Sequence, residues 1–224
     1  MQFYEEIQNY SHLIIDIRNH MGGHYFHFAD VVMSPLIESA VHATYYQFFT
    51  EGEHRAWQMA NVDALWDEFY EMGWRTMEVT NYEASVFVSE NNMIYFNESD
   101  LGYLSYATRF RYTIHPSYTN FPFRGKVWLL IDGAQSAGVG AAIYAETSGF
   151  ATTVGRPTGG VTHAERTYLR LPNSGVYVHV DVGYIVDANG RSVVEFGWPP
   201  QIPSRPGLDA LQTVLALIQE GYGQ

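Results

Sequence analysis

The sequence has no cysteine and a single lysine, Lys126. Without cysteine there is no disulfide, no thiolate metal ligand and no thiol nucleophile. Basic residues are scarce in general: 12 Lys and Arg stand against 24 Asp and Glu, a formal charge of −12. Such a balance repels phosphate and argues against nucleic acid or anionic membrane as a partner. No apolar run approaches the roughly 20 residues of a membrane-spanning helix. The opening MQFYEE lacks the basic start and apolar stretch of a signal peptide. Internal repeats, low-complexity tracts and linker-like segments are missing too. What is there is 224 residues, 46% hydrophobic and 16% aromatic, enough to bury the core of one domain.

Residues 125–160, GKVWLLIDGAQSAGVGAAIYAETSGFATTVGRPTGG, read as one unit. Residues 127–131 are an apolar, β-branched run suited to a buried strand. The turn Asp132-Gly133-Ala134-Gln135 follows, then Ser136 and a run of small residues that continues as a helix to Ser148. Gly149 ends the helix, and 151–154 form the next strand. Strand, turn, helix and strand make a βαβ unit, which predicts a parallel sheet in an α/β fold. The unit sets the Ser136 hydroxyl at the carboxyl end of a strand and at the first turn of a helix. Free N–H groups and the helix dipole favour negative charge there.

Upstream, residues 13–17 read as a second buried strand. Arg18-Asn19-His20-Met21-Gly22-Gly23 is a polar turn whose paired glycines let backbone approach something closely. Helices are expected at 28–32 and at 35–44, with Pro35 in a first turn. Another is expected over 52–72, where Val62, Leu65, Trp66 and Phe69 recur at spacings of three and four. Residues 77–82, 85–89 and 93–97 read as short strands, and 101–115 are aromatic and ambiguous. Residues 166–171 and 175–182 flank Pro172-Asn173-Ser174-Gly175 as a hairpin. After a turn at 187–190, residues 192–196 read as a strand and GWPPQIP as rigid extended chain. A last helix starts at 207–209, with Leu211, Val214, Leu215 and Ile218 on one face.

A serine hydroxyl becomes a nucleophile only with a base to take its proton and donors to hold the oxyanion. The Ala137 N–H can supply one donor. Taken alone, Ser136 reads at least as well as an ordinary helix N-cap. AQSAG is one glycine short of the G-x-S-x-G nucleophile elbow. Only His163 and His179 follow it, neither in the late loop position that fold requires. His20 and His24 have the spacing of metal ligands on a helix, but Gly22 and Gly23 lie between them, so no metal is expected.

Three ordered stretches together resemble the S41 peptidases, the tail-specific or C-terminal processing proteases and the tricorn core. They are LIIDIRNHMGG, then VWLLIDGAQSAGVGAAIYAETSGFATTVGRPTGG, then Glu195-Phe196-Gly197-Trp198-Pro199-Pro200. In that family the first is typically D-x-R-x-N-x-G-G. The second carries the nucleophilic Ser after a strand and turn and ends V-G-x-x-T-x-G, and the third precedes a terminal helix. The resemblance spans most of 13–217 apart from a divergent insert over 24–124. It implies a single S41-type core domain over 1–224, the C-terminal catalytic part of a longer protein. The implied fold is α/β, a ClpP/crotonase-like spiral of ββα units. The implied substrate is a peptide or protein, with no cofactor. Ser136 would be the nucleophile, and the Ala137 N–H with one N–H from the Gly22-Gly23 turn would form the oxyanion hole.

The base departs from the family pattern. Many members use a Ser–Lys dyad, with Lys directly after T-x-G. Here Thr158-Gly159-Gly160 is followed by Val161, and Lys126 begins the strand leading to Ser136 and points away from its far end. The tricorn-like branch uses a Ser–His–Ser–Glu tetrad. Glu195, 59 residues after Ser136, occupies a suitable place for its Glu, although taken alone it reads as an exposed strand residue. His12 is the one histidine upstream of the first motif, and it does not match. The resemblance therefore implies a base outside this chain. His163, two residues past the missing Lys, is the possible base within it, against its plain reading as a surface-loop histidine. Asp16 and Arg18 are expected as a buried, fixed pair beneath the site. Gln201 stands where many relatives have Asp, a departure of structural consequence. The implied function is a serine endopeptidase. The alternatives are a degenerate peptide-binding module of the same fold and, by analogy of fold only, a crotonase-like enzyme acting on a thioester.

Overall fold

The computed structural model describes residues 2–24, 26–52, 75–160 and 166–222. A short helix, α1 (Gln2–Ile7), leads to β1 (His12–Asp16), the strand expected at 13–17. A π-helical turn at Phe28–Met33 runs into one α-helical turn, α2 (Ser34–Leu36), with Pro35 at its start. The helix expected over 35–44 stops there. VHATYYQFFT instead forms the long strand β2 (Val41–Thr50). Its β-branched and aromatic residues suit a pleated surface, and it finds strand partners on both edges. The helix expected over 52–72 falls, apart from Gly52, outside the described residues.

Next come β3 (Arg75–Glu83), α3 (Ala84–Glu90) and β4 (Leu104–Ile114). The strand expected at 85–89 is therefore helical, and residues 93–97 form turns rather than a strand. ASVFVSE fits either period. Packing decides for the helix, because Ala84 and Phe87, three apart, are the two buried residues. The Phe87 ring lies against Tyr46, Phe48 and Tyr82. The ambiguous aromatic stretch is the central strand β4, paired with β2 and β3.

The βαβ unit is present as read: β5 (Lys126–Leu130), α4 (Ala137–Thr147) and β6 (Thr152–Gly155). Strands β7 (Arg166–Arg170) and β8 (Tyr177–Asp181) form the expected hairpin. Strand β9 (Gly183–Val186) follows, then α5 (Val193–Phe196) where a strand was expected. Val193 and Val194 gave that segment a strand-like look. Ser192 overrides them as a helix cap, its Oγ accepting the Glu195 N–H at 3.3 Å. Strand β10 (Ile202–Pro203) and α6 (Ala210–Gln219) complete the chain.

Two sheets result. One is parallel, in the order β1-β5-β6-β10, and the other antiparallel, in the order β3-β4-β2-β9. Alternation along β5 sends Val127 and Leu129, with Ile131 after it, toward one core. Trp128 and Leu130 face the other way, onto Ala210, Val214 and Leu217 of α6. Helix α4 lies between the two sheets, with Tyr45, Phe49, Phe110 and Tyr112 on its far side. A helix enclosed on all sides cannot be amphipathic, which explains the run of Ala, Gly and Val from Ala137 to Ala142, all buried. Each fully buried Leu or Ile of this core stabilises the fold by about 1.5–3 kcal/mol relative to exposure. The consequence for function is placement. The carboxyl ends of β1 and β5 lie side by side, since Asp16 pairs with Leu130. The loops that follow them meet above the parallel sheet.

Candidate active site

Ser136 stands where the turn after β5 enters α4. Its φ of 52° and ψ of −119° lie in a positive-φ region that residues with a side chain rarely occupy. Such a conformation costs of order 1–3 kcal/mol and persists only where neighbours impose it. Here the Gln135 N–H donates to the His20 carbonyl and the Gly138 N–H to the Gln135 carbonyl, both at 2.8 Å. The turn this creates leaves the Ser136 Oγ without a capping hydrogen bond, so the N-cap role is not taken. The Ala137 N–H, at the first position of the helix, has no acceptor among the described residues.

The paired-glycine turn arrives at the same place. A β-carbon on Gly22 would lie 2.8 Å from Ser136 Cβ, 3.0 Å from its Oγ and 3.9 Å from the Ala137 nitrogen. Gly22 also has φ +117°, so both space and backbone demand glycine. The turn is moored to the serine loop by the Asn19 N–H, which donates to the Asp132 carbonyl at 2.8 Å. The Gly22 N–H donates to His20 Nδ1 at 3.0 Å. The Gly23 N–H has no acceptor among the described residues. The structure thus gathers Gly22, Gly23, Ser136 and Ala137. It adds His20, which sequence reading weighed only as a metal ligand. The available signal was an acceptor two residues before a glycine N–H, at the Asn position of D-x-R-x-N-x-G-G.

Glu195 is exposed on α5. Its side chain borders a recess of about 380 Å3 with Asp100, Tyr103, Tyr184 and Phe196. Asp100 accepts the Tyr103 and Tyr184 hydroxyls at 2.5 and 2.6 Å. Burial, above all, pushes the Tyr184 phenol up, with Asp100 next and Glu195 a smaller contributor. No hydrogen bond joins Glu195 to Ser136 among the described residues. The chain at Thr158-Gly159-Gly160 connects the two regions. The Gly159 N–H donates to the Ala134 carbonyl at 2.7 Å, and a β-carbon on Gly160 would stand 2.5 Å from the Val194 carbonyl. Val161 and His163 lie outside the described residues.

Asp16 and Arg18 are paired, with Arg18 Nη2 2.7 Å from Asp16 Oδ2 and Nε 2.9 Å from Oδ1. The expected burial is not found: their side chains are 46% and 23% exposed. The pair stands at the rim of the sheet, where Arg18 also reaches Asp209 Oδ2 at 3.3 Å. The Arg18 guanidinium holds the Asp16 carboxyl below its ordinary value. Lys126 begins β5 opposite His12, at the end of the strand remote from Ser136, with Nζ 5.6 Å from the Trp128 ring. Gln201 ties β6 to the chain before β10. Its N–H donates to Thr153 Oγ1 at 2.9 Å, and its Oε1 accepts the Thr153 N–H at 3.3 Å.

These positions bring together one uncapped hydroxyl, two free backbone donors and no side-chain base in hydrogen-bond contact among the described residues. Residues 1–204 match the model of Peptidase family S41, and the chain belongs to that family. A comparison with curated proteins finds no match in sequence. Among solved structures, the fold resembles mature CPAF with a TM-score of 0.57 at 15% identity, over 100% of this chain and 47% of that one. Mature CPAF complexed with lactacystin gives a TM-score of 0.52 at 15% identity, over 98% and 46%. A serine-to-alanine mutant of CPAF gives 0.53 at 16% identity, over 90% and 40%. The chain spans less than half the length of these proteins. The α/β architecture with its parallel sheet agrees with the ClpP/crotonase-type core expected of the family. Among the described residues, no helix is long and apolar enough to cross a membrane.

Proposed function

We propose that this chain is the nucleophile-bearing part of a serine endopeptidase. The single observation that carries the reading is the approach of Gly22 to Ser136, which sets the uncapped Oγ, next to the free N–H of Ala137, against the turn that also carries the free N–H of Gly23. In the proposed reaction Ser136 Oγ attacks the carbonyl carbon of a peptide bond. The carbonyl oxygen, now negative, is held by those two N–H groups. A base takes the hydroxyl proton and returns it to the leaving nitrogen as the C–N bond breaks. Water then hydrolyses the ester, yielding the acid and restoring Ser136. The base comes from a further part of the protein, upstream of this chain, and His163 is the alternative within it. Glu195 orients that base. The chain is then the C-terminal catalytic portion of a longer protein.

The second reading is a peptide-binding module of the same fold that does not cut. Val161 in place of the usual Lys, and the lack of a base touching Ser136 among the described residues, favour it. Cleavage of a fluorescent casein by the full-length protein, with and without Ser136→Ala, separates the two. The peptidase reading expects the activity to vanish in the variant. Equal cleavage by both proteins overturns it. No cleavage and no fluorophosphonate labelling by the wild type favours the binding module.

A further inference from the structure

We propose that His20 is a positioning residue of the oxyanion turn. Its Nδ1 holds the Gly22 N–H, and this leaves the Gly23 N–H, with that of Ala137, as the donor pair for the substrate carbonyl. The inference rests on Ser136 being the nucleophile.

The Gly22 N–H reaches His20 Nδ1 at 3.0 Å. An Nδ1 that accepts carries no proton, so the ring is neutral with its hydrogen on Nε2. The ring is held close to the serine. The His20 N–H donates to the Ile17 carbonyl at 3.1 Å, and its carbonyl accepts from Gln135, the residue before Ser136, at 2.8 Å. The imidazole lies within van der Waals contact distance of the first turn of α4. A β-carbon on Gly138 would stand 3.5 Å from His20 Nδ1 and 3.6 Å from His20 Cβ.

The turn needs such a mooring. Gly22 has φ +117° and is followed by another glycine, so the segment has no side chain of its own to limit its backbone. An oxyanion donor is effective only when fixed about 2.7–3.1 Å from where the charge develops. With the Gly22 N–H fastened, rotation of the next peptide is restricted. Of the two glycine N–H groups, that of Gly23 is then the one without an acceptor among the described residues.

The residue type can be varied without losing the function. Nδ1 of histidine and Oδ1 of asparagine are the same number of bonds from Cα. An asparagine amide at this place accepts an N–H two residues on in the manner of an Asx-turn. The family motif carries Asn at this position. His20→Asn should therefore keep the mooring, whereas His20→Ala should release it.

The test uses the full-length protein and a fluorophosphonate probe, whose phosphoryl oxygen takes the oxyanion's place. Labelling kinetics give kinact and KI separately for wild type, His20→Asn and His20→Ala. We expect His20→Ala to lower kinact about 10- to 100-fold, with KI changed less than about twofold, as loss of part of an oxyanion site does. His20→Asn should stay within about threefold of wild type on the same reasoning. Nitrogen-15 shifts of the His20 ring, measured in Ser136→Ala, should show hydrogen on Nε2 and an accepting Nδ1. Full kinact in His20→Ala, equal damage in both variants, or hydrogen on Nδ1 overturns the proposal. If wild type is not labelled at Ser136 at all, the peptidase reading fails and takes the oxyanion assignment with it. The ring shifts still decide whether His20 holds the turn.

Discussion

Gly22 lies against Ser136: a β-carbon on the glycine would fall 2.8 Å from Ser136 Cβ and 3.0 Å from Oγ. No local pattern connects these residues. They meet because β1 and β5 are parallel neighbours, and the loops after both strands leave the same edge of the sheet.

Gly22→Ala should therefore fold and fail to react. The added methyl occupies the space over the hydroxyl, and the positive φ of +117° strains it further. Fluorophosphonate labelling should fall by at least about 100-fold, the scale of a lost oxyanion donor. Labelling at the wild-type rate would remove Gly22 from the site.

Ser136→Gly should be more stable than wild type and inactive. Glycine relieves a positive-φ strain of about 1–3 kcal/mol, against an entropic penalty of about 0.5–1 kcal/mol. A thermal or denaturant melt measures the difference. A destabilised Ser136→Gly would show that the serine side chain makes contacts worth more than the strain.

Glu146 predicts a pH dependence of stability. Burial, chiefly, raises its carboxyl above the ordinary value, against a smaller lowering by the Thr153 hydroxyl, which donates to it at 2.6 Å. Between the ordinary and the raised value, the folded protein holds a proton that the unfolded chain has released. The stability due to this group accordingly falls as pH rises through that window. In Glu146→Gln the amide oxygen still accepts from Thr153 and nothing titrates. Melting temperature should then vary less with pH just above the ordinary carboxyl range, and the variant should melt higher at neutral pH. Identical pH profiles for the two proteins would contradict this.

Asp209 caps α6 by a reciprocal pair of hydrogen bonds with Gln212, at 2.8 and 2.9 Å, and also takes the Arg18 ion pair. Asp209→Ala should destabilise the protein by about 1 kcal/mol, mostly through the cap, since an exposed ion pair adds little. Urea melts of Asp209→Ala, Arg18→Gln and the double variant separate the two contributions. A larger loss in Arg18→Gln than in Asp209→Ala would reverse the assignment.

The sequence by itself determined the βαβ unit, the serine at its turn, the paired glycines, the hairpin and the last helix. In each, a local period or a turn residue leaves one reading open. By resemblance to the family, Val161 stands where many members carry a lysine. Tertiary structure alone decided the rest. Residues 41–44 join a strand because Arg111–Ile114 of β4 offer partners, and 84–90 coil because a helix buries Phe87 among Tyr46, Phe48 and Tyr82. His20 became part of the site only when its ring was set beside Gly22 and Gly138. Spacing along a chain fixes which way a side chain faces on its own element. What stands opposite is fixed by contacts between distant segments, and these formed the surroundings of Ser136.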